Sequence, residues 1–155
     1  VLVSILKFSS IALVDMEEEI VVWARKGGFK LQHDAQLLAN GHLLLFDNQG
    51  LRNRSRILEL DVATGGTVWE FPRDGQVSFY SETRGQVQRF DNGNTLITET
   101  DAGRAFEVTP DGKIVWEFYN PRRAGSEGQF IAALLDVRRL SPDMPTDWIG
   151  PCPDS

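Results

Sequence analysis

Apolar positions along the chain fall in short alternating runs separated by Gly, Asn, Asp and Pro clusters, which is the pattern of half-buried strands joined by tight turns. The opening stretch, residues 1–14, is rich in β-branched residues and is interrupted by Ser4, Lys7, Ser9 and Ser10. It predicts sheet core, and it is too short for a membrane span, which takes about 20 apolar residues. The absence of an initiator Met suggests a chain that starts inside a longer protein. Three tryptophans then keep step. Trp23 follows Ile20-Val21-Val22, Trp69 lies in Thr67-Val68-Trp69-Glu70-Phe71, and Trp116 lies in Ile114-Val115-Trp116-Glu117-Phe118. A period in the forties built from short strands is the signature of β-propeller blades.

Each unit reads as four antiparallel strands. The first full blade spans 33–71, with strands at 34–39, 42–47, 56–62 and 67–71. Asn40-Gly41 forms one hairpin turn, 48–55 a longer loop and Thr64-Gly65-Gly66 a second turn. The second, 86–118, repeats this around Asn92-Gly93 and Pro110-Asp111-Gly112. Residues 1–24 read as the end of an earlier blade, 131–140 as the first strand of a later one, and 141–155 as a Pro-rich tail. The predicted class is therefore all-β, with about three blades of a larger propeller, since rings usually carry about four to eight.

Composition narrows the chemistry. The chain has 155 residues and a net charge of −6, so phosphate backbones are repelled and nucleic acid is not expected as a partner. The lone Cys152 excludes an internal disulfide and a Cys-rich zinc site, and two histidines leave little room for a His-built metal centre. No glycine-rich phosphate loop, nucleophile elbow or calcium loop occurs, and no cofactor is expected.

Strand order places the remaining candidates. Loops alternate between the two faces of a blade, so His33, Asp47, Asn48 and the segment 52–56 should gather at one mouth. Residues 80–85 and 101–104 should border it. Aligning the Asn-Gly turns puts Gly85 opposite His33, so His33 stands outside the repeat, as a functional residue on a mouth loop would. Equally open is a histidine that only hydrogen-bonds a neighbouring loop. His42 falls on the opposite face and reads as a solvated turn residue. Arg52, Arg54 and Arg56 could grip a planar oxyanion or could simply balance an acidic surface, and Arg56 recurs as Arg104. Asn53-Arg54-Ser55 fits the N-glycosylation pattern. The tryptophans read as packing between blades.

Gln32-His33-Asp34-Ala35, Leu38-Ala39-Asn40-Gly41, Leu45-Phe46-Asp47-Asn48, Ser55-Arg56 and Glu59 together resemble the aryl sulfotransferase propeller family. Phe79-Tyr80-Ser81, Gly85, Asp91-Asn92-Gly93-Asn94-Thr95-Leu96-Ile97 and Val115-Trp116-Glu117-Phe118 continue the likeness, which runs from about Gln32 to Pro121. The resemblance implies movement of a sulfuryl group from an aryl sulfate to a phenol through a transiently sulfated histidine, without a nucleotide donor. His33 is the position similar to that nucleophile. Asp47, Asn48, Arg52, Arg56, Tyr80 and Arg104 are the candidates for substrate binding. The family draws histidines from more than one blade, and members are commonly exported. The alternative is a non-catalytic propeller that serves as a binding scaffold.

Overall fold

The computed structural model describes residues 1–150, and it is all-β. Strands β1 (Leu2–Ile5), β2 (Ser10–Asp15) and β3 (Ile20–Lys26) form a three-stranded sheet, with a 3-10 turn at Leu6–Phe8. A four-stranded sheet follows in the order β4 (His33–Leu37), β5 (His42–Leu51), β6 (Arg54–Asp61) and β7 (Thr67–Phe71). A second has the order β8 (Gln86–Arg89), β9 (Thr95–Glu99), β10 (Arg104–Val108) and β11 (Ile114–Tyr119). All neighbouring pairs within these sheets are antiparallel, and the sheets do not close into a barrel. This is the arrangement of propeller blades in an open stack.

The repeat extends to the backbone irregularities. In each of the three sheets the outermost pair slips register beside the tryptophan, between Leu13 and Val14, between Glu59 and Leu60, and between Glu107 and Val108. That equivalence makes β1 the counterpart of β5 and β9, and leaves the first sheet with the last three strands of a blade.

Alternation along β5 explains how the sheets stack. Leu43 and Leu45 face the first sheet, where they join Ile11, Phe29, Leu58 and Leu60 in one core. Leu44 and Phe46 face the other way, into a core with Ile57, Phe71, Phe79, Ile97 and Phe106. The central sheet is thus buried on both faces, each large side chain contributing about 1.5–3 kcal/mol. Trp23 and Trp69 lie between sheets, as their spacing suggested. The Trp69 indole donates to Pro110 O in the next sheet at 2.8 Å, while Trp116, on the last sheet, is 42% exposed.

Two local features differ from expectation. Residues 48–55 are largely strand, because the β5–β6 ladder resumes at Leu51–Arg54 after a bulge beyond Asp47. The turn between them is tight, with Asn53 at φ +54°. At the other end only Phe130–Ile131 (β13) is a strand, paired with Arg123–Ala124 (β12). Residues 132–140 form no ladder, and instead Gln88 holds the backbone of Arg139 through its amide, at 2.9 and 3.2 Å. The Pro-rich tail has no strand up to residue 150, and Cys152 lies outside the described residues.

Candidate functional site

His33 opens β4, and its imidazole is half-buried. Nδ1 lies 3.0 Å from Leu31 O and 2.8 Å from Asn48 Oδ1. Both are acceptors, so Nδ1 carries the proton and the lone pair sits on Nε2. The orientation of the Asn48 amide is fixed independently. Its Nδ2 donates to Ser81 O at 3.0 Å and to Arg84 O, which turns Oδ1 toward the ring. Asn48, Ser55 and Ser81 are all fully buried. The Ser55 hydroxyl donates to Asn48 O at 2.9 Å and accepts from Ser81 N at 3.0 Å. A rigid polar cluster thus joins the second and third sheets directly behind the histidine.

The neighbouring cations have other partners. Arg56 Nε is 2.8 Å from Asp47 Oδ2, its terminal nitrogen donates to Gly28 O at 2.9 Å, and Glu70 is 3.6 Å away. Asp47 is fully buried and also accepts from Lys30 N at 2.8 Å and Gly50 N at 2.9 Å. A Cβ on Gly50 would run into that carboxylate, so the glycine makes room for it. Arg104 repeats the scheme between Glu99, at 3.2 Å, and Glu117, with its guanidinium 4.2 Å from the Phe106 ring. Arg56 and Arg104 are therefore equivalent struts, each neutralised by two carboxylates. Asp47 thus joins the strut of the second sheet, as Glu99 joins that of the third.

Arg52 and Tyr80 come together elsewhere. They line an open groove with Lys30, Gln49, Leu51 and Asn53. The groove shares chain with the histidine cradle, because Gln49 adjoins Asn48 and Tyr80 adjoins Ser81. His42 is not the solvated turn residue the sequence suggested. Its Nδ1 is 2.7 Å from Glu59, a bond that Asn94 and Glu107 repeat in the third sheet. It serves the repeat, away from His33.

Sequence reasoning passed over Asp34. Its φ is +45°, and its carboxylate accepts from Val87 N and from Gln36 Nε2, both at 2.7 Å, with the Arg138 guanidinium at 3.5 Å. Burial pushes the Asp34 carboxyl up, against the opposing pull of the Val87 N–H and of Arg138. The visible signal was its place beside the one non-repeating histidine. Among the described residues no three His, Cys, Asp or Glu side chains converge as a metal site would require, and no helix is long and apolar enough to cross a membrane.

A family model described as Arylsulfotransferase (ASST) matches residues 1–121. No curated protein matches. Among solved structures, a protein of unknown function from Bacteroides caccae is similar, with a TM-score of 0.44 and 14% identity over 76% of this chain and 57% of that one. This chain therefore spans a little over half the length of that structure.

Proposed function

The chain belongs to the arylsulfotransferase family, and from that premise we propose that it takes part in sulfuryl transfer from an aryl sulfate to a phenol, with His33 as the nucleophile. The observation that carries this reading is the pinned imidazole. Nδ1 is committed to Asn48 Oδ1 and Leu31 O, so the nucleophilic lone pair is held on Nε2.

In the first half-reaction the Nε2 lone pair forms a bond to sulfur as the sulfur–aryl oxygen bond breaks. The phenolate departs with that electron pair and takes a proton from water. The histidine is left sulfated on Nε2 and still protonated on Nδ1, where the two acceptor oxygens stabilise the positive charge that develops on the ring. In the second, the phenol oxygen bonds to sulfur and loses its proton to water. The N–S electron pair returns to Nε2. Two half-reactions through one residue give ping-pong kinetics.

Asn48 acts as the orienting residue. Arg52 and Tyr80, with Lys30, offer the groove in which an aromatic anion would lie, the cations meeting the sulfate and the tyrosine ring the aryl group. Asp47, Arg56 and Arg104 hold the sheets that carry these groups. A competing reading, a non-catalytic binding scaffold, draws on the neutralisation of Arg56 and Arg104, which removes two cations from the mouth.

The test is incubation of the protein with 4-nitrophenyl sulfate, with and without a phenol acceptor. Nitrophenolate release should depend on acceptor, and quenched samples should carry one sulfuryl group on the peptide containing His33. His33→Ala should lower transfer about 1,000-fold or more, the scale expected when a nucleophile is removed. Undiminished transfer in that variant would overturn the assignment. Absence of the adduct with intact ligand binding would favour the scaffold.

A further inference from the structure

The strand that carries His33 departs from the repeat in a way that its counterpart does not. β8 and β9 pair in unbroken register from Gln86–Thr98 to Arg89–Thr95. β4 and β5 do not. Gln36 pairs with Leu44, but His33 pairs with Phe46, where regular counting would place it opposite Asp47. One extra residue therefore lies in β4 between Gln36 and His33. Side chains alternate faces with a period of two, so this insertion moves His33 to the other face of the strand. That is the face on which Asn48 Oδ1 meets its Nδ1 at 2.8 Å.

Asp34 sits in the insertion, in the left-handed region, at φ +45°. Asp tolerates that conformation better than most residues. Its side chain then closes the bulge against the next sheet. Asp34 accepts from Val87 N at 2.7 Å, while Gln36 donates to Val87 O at 2.6 Å and to Asp34 at 2.7 Å. Arg138, from the segment beyond β13, adds a cation 3.5 Å away and itself reaches Val87 O at 3.3 Å.

Joining sheets does not by itself need this arrangement. At the next junction a single glutamine, Gln88, holds both polar groups of Arg139, and no bulge is present. On the register of His33 there stands Gln86, paired with Thr98 as His33 is with Phe46, and Asp34 has no counterpart. What Asp34 adds is the bulge, and what the bulge adds is the facing of His33.

We propose that Asp34 is the positioning residue of His33, holding by its left-handed backbone and its bond from Val87 N–H the one-residue bulge that turns the imidazole toward Asn48. The proposal rests on the reading of His33 as nucleophile for its functional meaning, but not for its structural content. It extends the catalytic apparatus into a residue that touches neither substrate nor the ring.

The experiment uses the whole 155-residue chain, labelled with nitrogen-15 in histidine. Long-range nitrogen–proton correlation spectra report which ring nitrogen of His33 is protonated, and a His42→Gln variant assigns the two rings. The variants separate conformation from hydrogen bonding. Asp34→Asn keeps both the left-handed tolerance and an acceptor, and should preserve the Nδ1-protonated signature. Asp34→Gly keeps only the backbone freedom and should give a mixed tautomer, with kcat for aryl sulfate turnover down at least tenfold and KM changed less than threefold. Asp34→Ala keeps neither and should be at least as impaired; should it fail to fold, Asp34→Gly decides the matter. A wild-type ring signature with kcat within twofold in Asp34→Gly would overturn the proposal. Loss of the signature in Asp34→Gly, in a protein that shows no transfer even as wild type, would uphold the role of Asp34 and defeat the nucleophile reading instead.

Discussion

The second and third sheets are built on one plan, and the positions where they part company mark the candidate site. Both brace strand pairs with an arginine between two carboxylates, Asp47–Arg56–Glu70 in one and Glu99–Arg104–Glu117 in the other. Both seat a hydrogen bond beside the Asn-Gly turn, His42 to Glu59 and Asn94 to Glu107. Then they diverge. Counting from the Asn-Gly turns sets His33 against Gly85, the bulge in β4 moves it onto the register of Gln86, and Asn48 stands against Thr100. Asn48 satisfies three partners, whereas the buried Thr100 hydroxyl has none. Residues shared by the sheets hold the scaffold, and residues found in one alone are the candidates for the site.

The sharpest way to break this comparison is to exchange the divergent pair. A Cβ on Gly85 would lie 2.6 Å from the Phe46 ring, on a backbone with φ +113°. Overpacking and the left-handed backbone together should make Gly85→Ala cost about 4 kcal/mol in urea unfolding. His33→Gly, at the position that turn counting sets against it, should cost no more than about 2 kcal/mol, the price of one lost partner for Asn48. Equal losses would mean that the segment before β8 has no special steric need for a glycine beside Phe46.

A milder contrast tests the second pair. Asn48→Ala leaves the Arg84 carbonyl without its donor and the Ser81 carbonyl with the Ser55 hydroxyl alone, and should lower stability by about 2 kcal/mol. Thr100→Val removes a hydroxyl that has no partner and should lie within about 1 kcal/mol of wild type, on the stabilising side. Similar losses in the two variants would erase the distinction drawn between the sheets.

The smallest effect concerns what all three sheets share. Asp15 and Asp61 each accept two backbone N–H bonds in the turn closing the outer hairpin, and Asp111 accepts from the Thr109 hydroxyl. These bonds hold each carboxyl below the ordinary 3.8. The folded state thus binds fewer protons than the unfolded one. The stabilisation is present above 3.8 and lost as pH falls through the lowered folded values. Asp34 works in the opposite sense, since burial raises its carboxyl and its contribution fades as pH rises through the raised value. Asp61→Asn should flatten the acid limb of a urea-midpoint profile, and Asp34→Asn should leave that limb in place.

A good part of this was legible without coordinates. The tryptophan spacing and the Asn-Gly turns mark strands and turns because tight turns and two-residue alternation are local requirements. They identified the repeated sheets, and the non-recurrence of His33 singled it out. Asn48 was nameable as a neighbour in the same way. The pairing of Arg56 with a buried Asp47 was not, because Arg52, Arg54 and Arg56 look alike in a row of letters. Which guanidinium meets a carboxylate depends on the register of β5 against β6 and on the bulge after Asp47. Nor was the part of Asp34, since a bulge shifts register without leaving a mark in composition.

The chain's own letters determined the period, the strands, the turns and the one histidine that breaks the pattern, since each follows from interactions between residues a few positions apart. Tertiary structure alone decided which nitrogen of that histidine is free, which arginines are already neutralised and that the histidine shares its register with Gln86 and not with Gly85. Those depend on groups from different sheets, tens of residues apart, meeting at distances that only the packed whole sets.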